Sequence, residues 1–126
     1  MKTILTFVFI IICSTKLFSQ ELHIKQSAAF EDILLAVKTD SISLFKNSFG
    51  KDISEEIMTG KGENIWVEGF NAYKDLLKKD FSDFQISDFS YIYDEKRSTI
   101  KIFYKGKKYG SMEVIEEEDK WKLNER

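Results

Sequence analysis

The sequence predicts an α+β fold, in which N-terminal helices pack against an antiparallel sheet of about four strands. Three observations lead to this class. Apolar residues recur with a period of about 3.6 as far as residue 81 and with a period of 2 from residue 84 onward. The strands of the second half are separated only by short polar or charged turns, which join antiparallel neighbours. We therefore expect helices first and a meander of strands last.

The first predicted helix begins near Ser27, a residue type favoured at helix N-termini. Its apolar residues share one helical face: Phe30, Ile33, Leu34 and Val37. Residues 39–41 are polar and interrupt the pattern, and Asp40 or Ser41 is expected to cap a second, short helix. The apolar residues of this second helix are Ile42, Phe45 and Phe49. Gly50 is expected to end it.

Residues 51–69 show no readable period, and Gly60, Gly62 and Gly69 predict a loosely structured loop there. A third helix is then predicted from an apolar stripe at roughly helical spacing. The residues of this stripe are Phe70, Tyr73, Leu77 and Phe81.

Four strands are predicted from alternation, with turns at 94–98, 106–108 and 116–119. The side chains expected to face the helices are Phe89, Tyr91, Tyr93, Ile100, Ile102, Tyr104, Met112, Val114, Trp121 and Leu123. Phe103 and Ile115 are apolar but lie in the opposite phase. They predict an outer sheet face that pairs with a second copy of the chain, giving a homodimer.

Residues 1–20 have the pattern of a cleavable secretory signal, and residues 21–126 are expected to form one domain. Lys2 precedes an apolar run over 4–12, and cleavage is expected after Ser19 or Gln20. The run is far shorter than the roughly 20 residues that span a bilayer, so no transmembrane anchor is expected. The predicted location is periplasmic or secreted.

Cys13 lies inside this segment, and lipid attachment there is disfavoured. Ile11 and Ile12 precede it, whereas lipoprotein signals place a small residue just before the cysteine. Removal of residues 1–20 therefore discards the only cysteine and, with Lys2 and Lys16, lowers the formal net charge from −2 to −4. The predicted domain has neither a disulfide nor a catalytic thiol, and its charge argues against binding nucleic acid.

Lysines are concentrated near the second predicted turn, where Tyr104 and Tyr109 lie among them. These residues are Lys101, Lys105, Lys107 and Lys108. A nucleic-acid patch is one interpretation, but the acidic net charge and the predicted export disfavour it. We interpret the lysines as protection of a sheet edge against pairing with other chains.

The order of elements and the C-terminal third resemble a known superfamily. The segments Tyr104–Lys107, Met112–Val114 and Lys120–Leu123 are similar to sheet and turn segments of small exported bacterial domains in the nuclear-transport-factor-2-like superfamily, which has a cystatin-like fold. The resemblance implies a cone-shaped roll, in which a curved sheet wraps the first helix and leaves a pocket at its open end. Some members are isomerases, dehydratases or cyclases, and others only bind or dimerise.

The sequence offers little catalytic chemistry. His23 is the only histidine, so neither a nucleophilic triad nor a usual zinc or copper ligand set is expected. The acidic clusters at 55–56 and 116–119 lack the pattern of a calcium loop. No catalytic residue, metal or cofactor is therefore predicted.

An acid–base alternative remains open. Related isomerases imply a buried aspartate beside a tyrosine hydroxyl. Asp88 falls in the outer strand phase, however, and three other aspartates are expected to be charges on outer faces: Asp32, Asp75 and Asp83.

The sequence thus favours a non-enzymatic exported domain with a small hydrophobic pocket, which binds a small apolar ligand or an extracytoplasmic protein, or dimerises. The pocket is expected to be lined by Phe30, Leu34, Tyr73, Tyr91, Tyr93, Tyr104 and Trp121. A small isomerase or lyase acting on an apolar substrate is the second hypothesis. A third is an inhibitor-like or immunity-type binder that uses the segment Lys51–Gly69 as its loop.

Overall fold

The computed structural model describes residues 24–60 and 63–125, with the side chains of 56–60 and 63 left out. The four helices are α1 (Ala28–Thr39), α2 (Ile42–Asn47), α3 (Lys51–Gly60) and α4 (Glu63–Asp80). The four strands are β1 (Phe89–Asp94), β2 (Thr99–Tyr104), β3 (Lys107–Glu117) and β4 (Lys120–Leu123). Short 3₁₀ turns precede α1 and β1. The predicted α+β class, with helices packed against a four-stranded antiparallel sheet, is confirmed.

Helix α1 begins where the sequence predicted, but the contact made by Ser27 is different. The Ser27 hydroxyl is fully buried, and two acceptors lie within hydrogen-bond distance of it, the Ile24 carbonyl (2.7 Å) and the Glu31 carboxylate (2.9 Å). At the other end Asp40 takes a left-handed conformation with φ 53° and terminates α1. Ser41 caps α2, because its hydroxyl accepts the Leu44 amide N–H at 3.2 Å.

The prediction of a loop over 51–69 is wrong. Helix α3 occupies 51–60, and α4 begins at Glu63, seven residues before the predicted start at Phe70. Trp66 is 4% exposed and lies four residues before Phe70 on the buried face, so the apolar stripe starts earlier than the glycines suggested. Gly69 lies inside α4, where burial of this face outweighs the low helix propensity of glycine. A recognition loop over Lys51–Gly69 is therefore not available.

The sheet is a meander in the order β1-β2-β3-β4, and every neighbouring pair is antiparallel. The predicted inward phase is confirmed by the burial of Phe89, Tyr91, Ile100, Ile102 and Val114. Strand β3 extends into both flanking turns of the prediction. The remaining two-residue turns are Lys105–Gly106 and Glu118–Asp119, whose positive φ angles are typical of tight hairpins.

Strand β3 is almost twice as long as β1 and β2, and it pairs with two different strands along its length. Its first part, residues 107–113, pairs with β2, whereas its last four residues, 114–117, pair with β4. The β3–β4 hairpin therefore projects past the β1–β2 hairpin, and β4 packs against α1. The surface between this hairpin and the helices is the setting of the candidate site.

The edge of β4 is joined to the link between α2 and α3. Phe49 forms a parallel bridge with Leu123, in which Leu123 N–H donates to Ser48 O (2.8 Å) and Gly50 N–H donates to Leu123 O (2.7 Å). Phe49 thus lies beyond α2, not within it as predicted. The Lys51 amide N–H, at the start of α3, donates to the Glu117 carboxylate at 3.0 and 3.2 Å.

Aromatic side chains dominate the core between helices and sheet. The Phe45 ring lies 5.0–6.1 Å from the rings of Phe49, Trp66, Phe70 and Tyr73. Phe30 of α1 packs edge-on against two rings of β1. Over the described residues, no helix has the length and apolar character needed to cross a membrane.

Candidate functional site

Two adjoining cavities lie between α1, the start of α3 and the β3–β4 hairpin. The larger has a volume of about 760 Å³ and the smaller about 470 Å³. Both are lined by Asp32 of α1 and by Lys120 and Trp121 of β4. We call this pair of cavities the Trp121 groove. Each of the two volumes lies in the range of ligand sites for small molecules.

The floor of the groove is apolar. Trp121 is half-buried, and its ring lies 5.6 Å from the Tyr93 ring in an edge-on contact. In the larger cavity Leu44 and Phe49 extend this apolar surface. The Phe49 ring is held 5.0 Å from Phe45, so the floor is attached directly to the core. An aromatic wall of this kind provides contact area for an apolar group.

Asp32 supplies the one half-buried carboxylate that both cavities share. Within the described part of the chain its side chain has no hydrogen-bond or ion-pair partner. Burial raises the pKa of Asp32, and the charge of Glu31 adds to this, while Lys120 and Lys122 lower it by a smaller amount. The structure thus corrects the prediction that Asp32 is an outer-face charge. It is half-buried because β4 packs over α1.

The two cavities differ in charge among the residues described. The smaller combines the acids Asp32, Glu116 and Asp119 with the bases Lys25 and Lys120. The bases of the larger are Lys46, Lys51, Lys120 and Lys122, and its acids are Asp32, Glu117 and Glu118. Because Glu117 already accepts the Lys51 amide N–H, one of those acids is engaged within the protein. The smaller cavity is therefore the more acidic of the two, and the larger is the more basic.

The predicted pocket residues lie in three environments. Phe30, Leu34 and Tyr91 are core residues exposed by no more than 1%. Tyr73, Tyr93 and Tyr104 are half-buried against that core. Trp121 lines both cavities of the groove. A ligand pocket formed by all seven side chains stays a prediction.

The two residues predicted for a dimer face are both half-buried. Ile115 lies against the start of α3, with its Cγ2 atom 3.2 Å from the position that a Cβ on Gly50 would take. Phe103 follows a register shift in the β2–β3 pairing. The dimer stays a prediction.

Tyrosine hydroxyls and carboxylates meet at one described place, away from the groove. The Tyr109 hydroxyl donates to Asp80 at 3.0 Å. Burial and this hydrogen bond raise the pKa of Tyr109 to about 12. The Tyr91 hydroxyl is buried and has no hydrogen-bond partner among the described residues, and burial raises its pKa as well. No described hydrogen bond joins Asp32 to a tyrosine.

Metal-binding groups are not clustered in the part of the chain that the structure describes. Within it, no three His, Cys, Asp or Glu side chains are placed so that they could hold an ion. His23 and Cys13, the residues on which the sequence-based exclusion of metal and thiol chemistry depended, lie outside the described residues.

In comparisons with protein-family models, curated proteins and solved structures, no match to this chain was found. The site is therefore argued from its own geometry. Sequence reasoning selected Trp121 but missed Asp32 and the surrounding lysines. The available signal was the pattern Lys120-Trp121-Lys122, in which charges flank an inward aromatic residue on a terminal strand.

Proposed function

We propose that this chain is a non-enzymatic binding module of the nuclear-transport-factor-2-like class, which acts outside the cytoplasm and holds a small ligand in the Trp121 groove. The α+β architecture, with helices first and a meander last, supports the class. Export is supported by the pattern of residues 1–20, which lie outside the described part of the chain. The ligand carries an apolar body, because the groove floor is formed by Trp121, Phe49 and Leu44.

The observation that carries this proposal is the state of Asp32 beside Trp121. A carboxylate that is partly withdrawn from water and has no partner in the described chain destabilises the ligand-free protein. A ligand that hydrogen-bonds to this carboxylate while its apolar part covers Trp121 recovers that free energy. Lys120 and Lys122 lie near enough to influence Asp32 and add further polar contacts at the rim.

The test uses a fluorescent probe with an aromatic body and one anionic group, 1-anilinonaphthalene-8-sulfonate, titrated into the folded protein spanning residues 21–126. We expect saturable binding with one site per chain. The substitution Trp121→Ala should weaken it by about 5- to 10-fold, since loss of an aromatic contact costs roughly 1 kcal/mol or more.

Phe103→Ala is the matched control, because it removes an aromatic ring in the strand phase opposite to that of buried Ile102. We expect unchanged probe binding in this variant. Light scattering on the same sample tests the predicted dimer face, through a lower mass than that of the unsubstituted protein. Equal probe affinity in the Trp121→Ala protein, or absence of binding, would contradict the groove as a ligand site.

A small isomerase or lyase is the second candidate function. It is favoured by two polar groups that have no hydrogen-bond partner among the described residues, the Tyr91 hydroxyl and the half-buried Asp32 carboxylate. An enzyme of this type would exchange the α-hydrogens of a cyclic ketone with deuterium from the solvent. Exchange that is lost in both Asp32→Asn and Tyr91→Phe would support it. Exchange no faster than in buffer alone counts against it.

A further inference from the structure

The residues lining the two cavities of the Trp121 groove have opposite net formal charge, and this difference restricts the ligand. Resting on the proposed function, we infer that the groove binds a short peptide with free ends. Its ammonium group lies in the smaller, acidic cavity, its carboxylate lies in the larger, basic cavity, and an apolar side chain covers Trp121.

The acidic side is suited to an ammonium group. Asp32, Glu116 and Asp119 line the smaller cavity, whose two bases are Lys25 and Lys120. Asp32 has no partner in the described chain, so its oxygens are available to a donor from the ligand. A primary ammonium carries three donors and therefore satisfies a carboxylate and a second acceptor at once.

The basic side is suited to a carboxylate. The Glu117 oxygens accept the Lys51 amide N–H at 3.0 and 3.2 Å and are held at the start of α3. Lys120 and Lys122 have no ion-pair partner among the described residues, and both line the larger cavity. A ligand carboxylate in this cavity meets these ammonium groups while one of the nearby acids is engaged elsewhere.

Trp121 lines both cavities, and a ligand that reaches both must extend across this shared residue. A single amino acid separates its two charged groups by one Cα, so it is too short to place one group in each cavity. Three extended residues span about 10 Å, because each adds about 3.3–3.6 Å. The side chain of the middle residue then lies over Trp121, beside Phe49 and Leu44.

Isothermal titration calorimetry with four probes tests this inference. The probes are the tripeptide glycyl-phenylalanyl-glycine, its N-acetylated form, its C-terminal amide, and free phenylalanine. We expect the free tripeptide to bind best and each capped form about 3- to 10-fold more weakly, since each half-exposed charge pair contributes on the order of 1 kcal/mol. Free phenylalanine should bind at least as weakly as either capped form.

Two variants assign each end of the peptide to its side of the groove. In Asp32→Asn the free and the N-acetylated tripeptide should bind equally, while the penalty for the amide persists. In Lys122→Gln the free tripeptide and its C-terminal amide should bind equally, while the penalty for N-acetylation persists. Lys105→Gln, at the β2–β3 turn, is the control with the same charge change and should retain both penalties. Circular dichroism at the start of each titration confirms that the variants are folded.

The outcomes separate this inference from the proposed function. If the anilinonaphthalene probe binds in a Trp121-dependent way but all tripeptide forms bind alike, the peptide inference is wrong and the binding module remains. If Asp32→Asn weakens every probe by the same factor, Asp32 acts only through the shape of the groove, which also overturns the inference. If neither the fluorescent probe nor any peptide binds, both proposals fail.

Discussion

The two ends of the sheet differ in how their aromatic side chains are covered, although lysines surround both. At the β2–β3 turn, Phe81 lies directly after α4 and packs 4.3 Å from the Tyr104 ring and 4.6 Å from the Tyr109 ring. The Tyr109 hydroxyl is bound to Asp80, the last residue of that helix. At the β3–β4 turn, Trp121 makes one described ring contact and otherwise lines the groove.

The difference shows that residue type alone does not separate a site from a core. Both ends combine aromatic rings with several lysines and at least one aspartate. At the β2–β3 end, the C-terminal end of α4 places Phe81 and Asp80 against the tyrosine rings and covers them. At the β3–β4 end the hairpin projects past the neighbouring strands, and its aromatic residue faces a cavity. The two ends therefore differ because α4 ends over one of them and because β3 extends beyond its neighbours at the other.

The largest effect is expected from shortening the side chain that seals the closed end. Phe81→Ala removes a ring that is 5% exposed and touches three aromatic neighbours. We expect the free energy of unfolding to fall by about 3–5 kcal/mol, because a cavity remains in the core. Urea denaturation followed by circular dichroism measures it.

Trp121→Ala is the matched substitution at the open end. Trp121 is half-buried, so we expect a loss of roughly 1–2 kcal/mol, well below that of Phe81→Ala. Equal losses for the two variants would mean that Trp121 is a core residue like Phe81, and the contrast between the ends would not hold.

Smaller effects, opposite to each other in sign, are expected from the removal of two tyrosine hydroxyls. Tyr91→Phe removes a buried hydroxyl that has no partner in the described chain, so the free energy of unfolding should rise by about 1 kcal/mol. Tyr109→Phe breaks the hydrogen bond to Asp80 and should lower it by about 0.5 kcal/mol. Thermal denaturation of the two variants in parallel shows the sign of each change in stability. A destabilised Tyr91→Phe protein would show that this hydroxyl is hydrogen-bonded and would contradict the expected sign.

The smallest effect concerns the pH dependence of stability at the open end. The pKa of Asp32 is raised above its ordinary value of 3.8, so the folded chain holds this proton more tightly than the unfolded chain does. The free energy of unfolding should therefore fall as pH rises from 3.8 through the raised pKa. Asp32→Asn cannot ionise, and it should gain stability relative to the unsubstituted protein over this interval.

Urea denaturation at several pH values between about 4 and 7 measures this difference. Asp75→Asn, which removes an exposed carboxylate from α4, controls for the loss of one negative charge. A stability difference between Asp32→Asn and the unsubstituted protein that does not change with pH would mean that burial does not govern the ionisation of Asp32.

Much of the fold could be predicted because the hydrophobic period is determined locally. The change from helical to alternating spacing gave α1, α2, most of α4 and the four strands. Helix α3 and the first seven residues of α4 were missed, because glycines at 60, 62 and 69 suggested a loop. Burial of Ile53 and Trp66 against other elements outweighed that local preference.

The candidate site was less accessible to sequence reasoning because its geometry is tertiary. The phase of β4 indicated that Trp121 faces inward, and this is consistent with its place in the groove. Asp32 looked like a surface charge, since nothing in α1 reveals that β4 packs beside it. The pairing of only the last four residues of β3 with β4 produces that arrangement, and no local pattern predicts it.

The bridge between Phe49 and Leu123 has a consequence for the order of folding. It joins two segments about 74 residues apart in the sequence, and one of them lies in the last strand. Contacts with such long separations require closure of a large loop, and they slow folding relative to helix packing. We expect the helices and the β1–β2 hairpin to associate first, with β4 added last. Because Trp121 lies on β4, the groove would be completed only in the final step, after the rest of the domain has been formed.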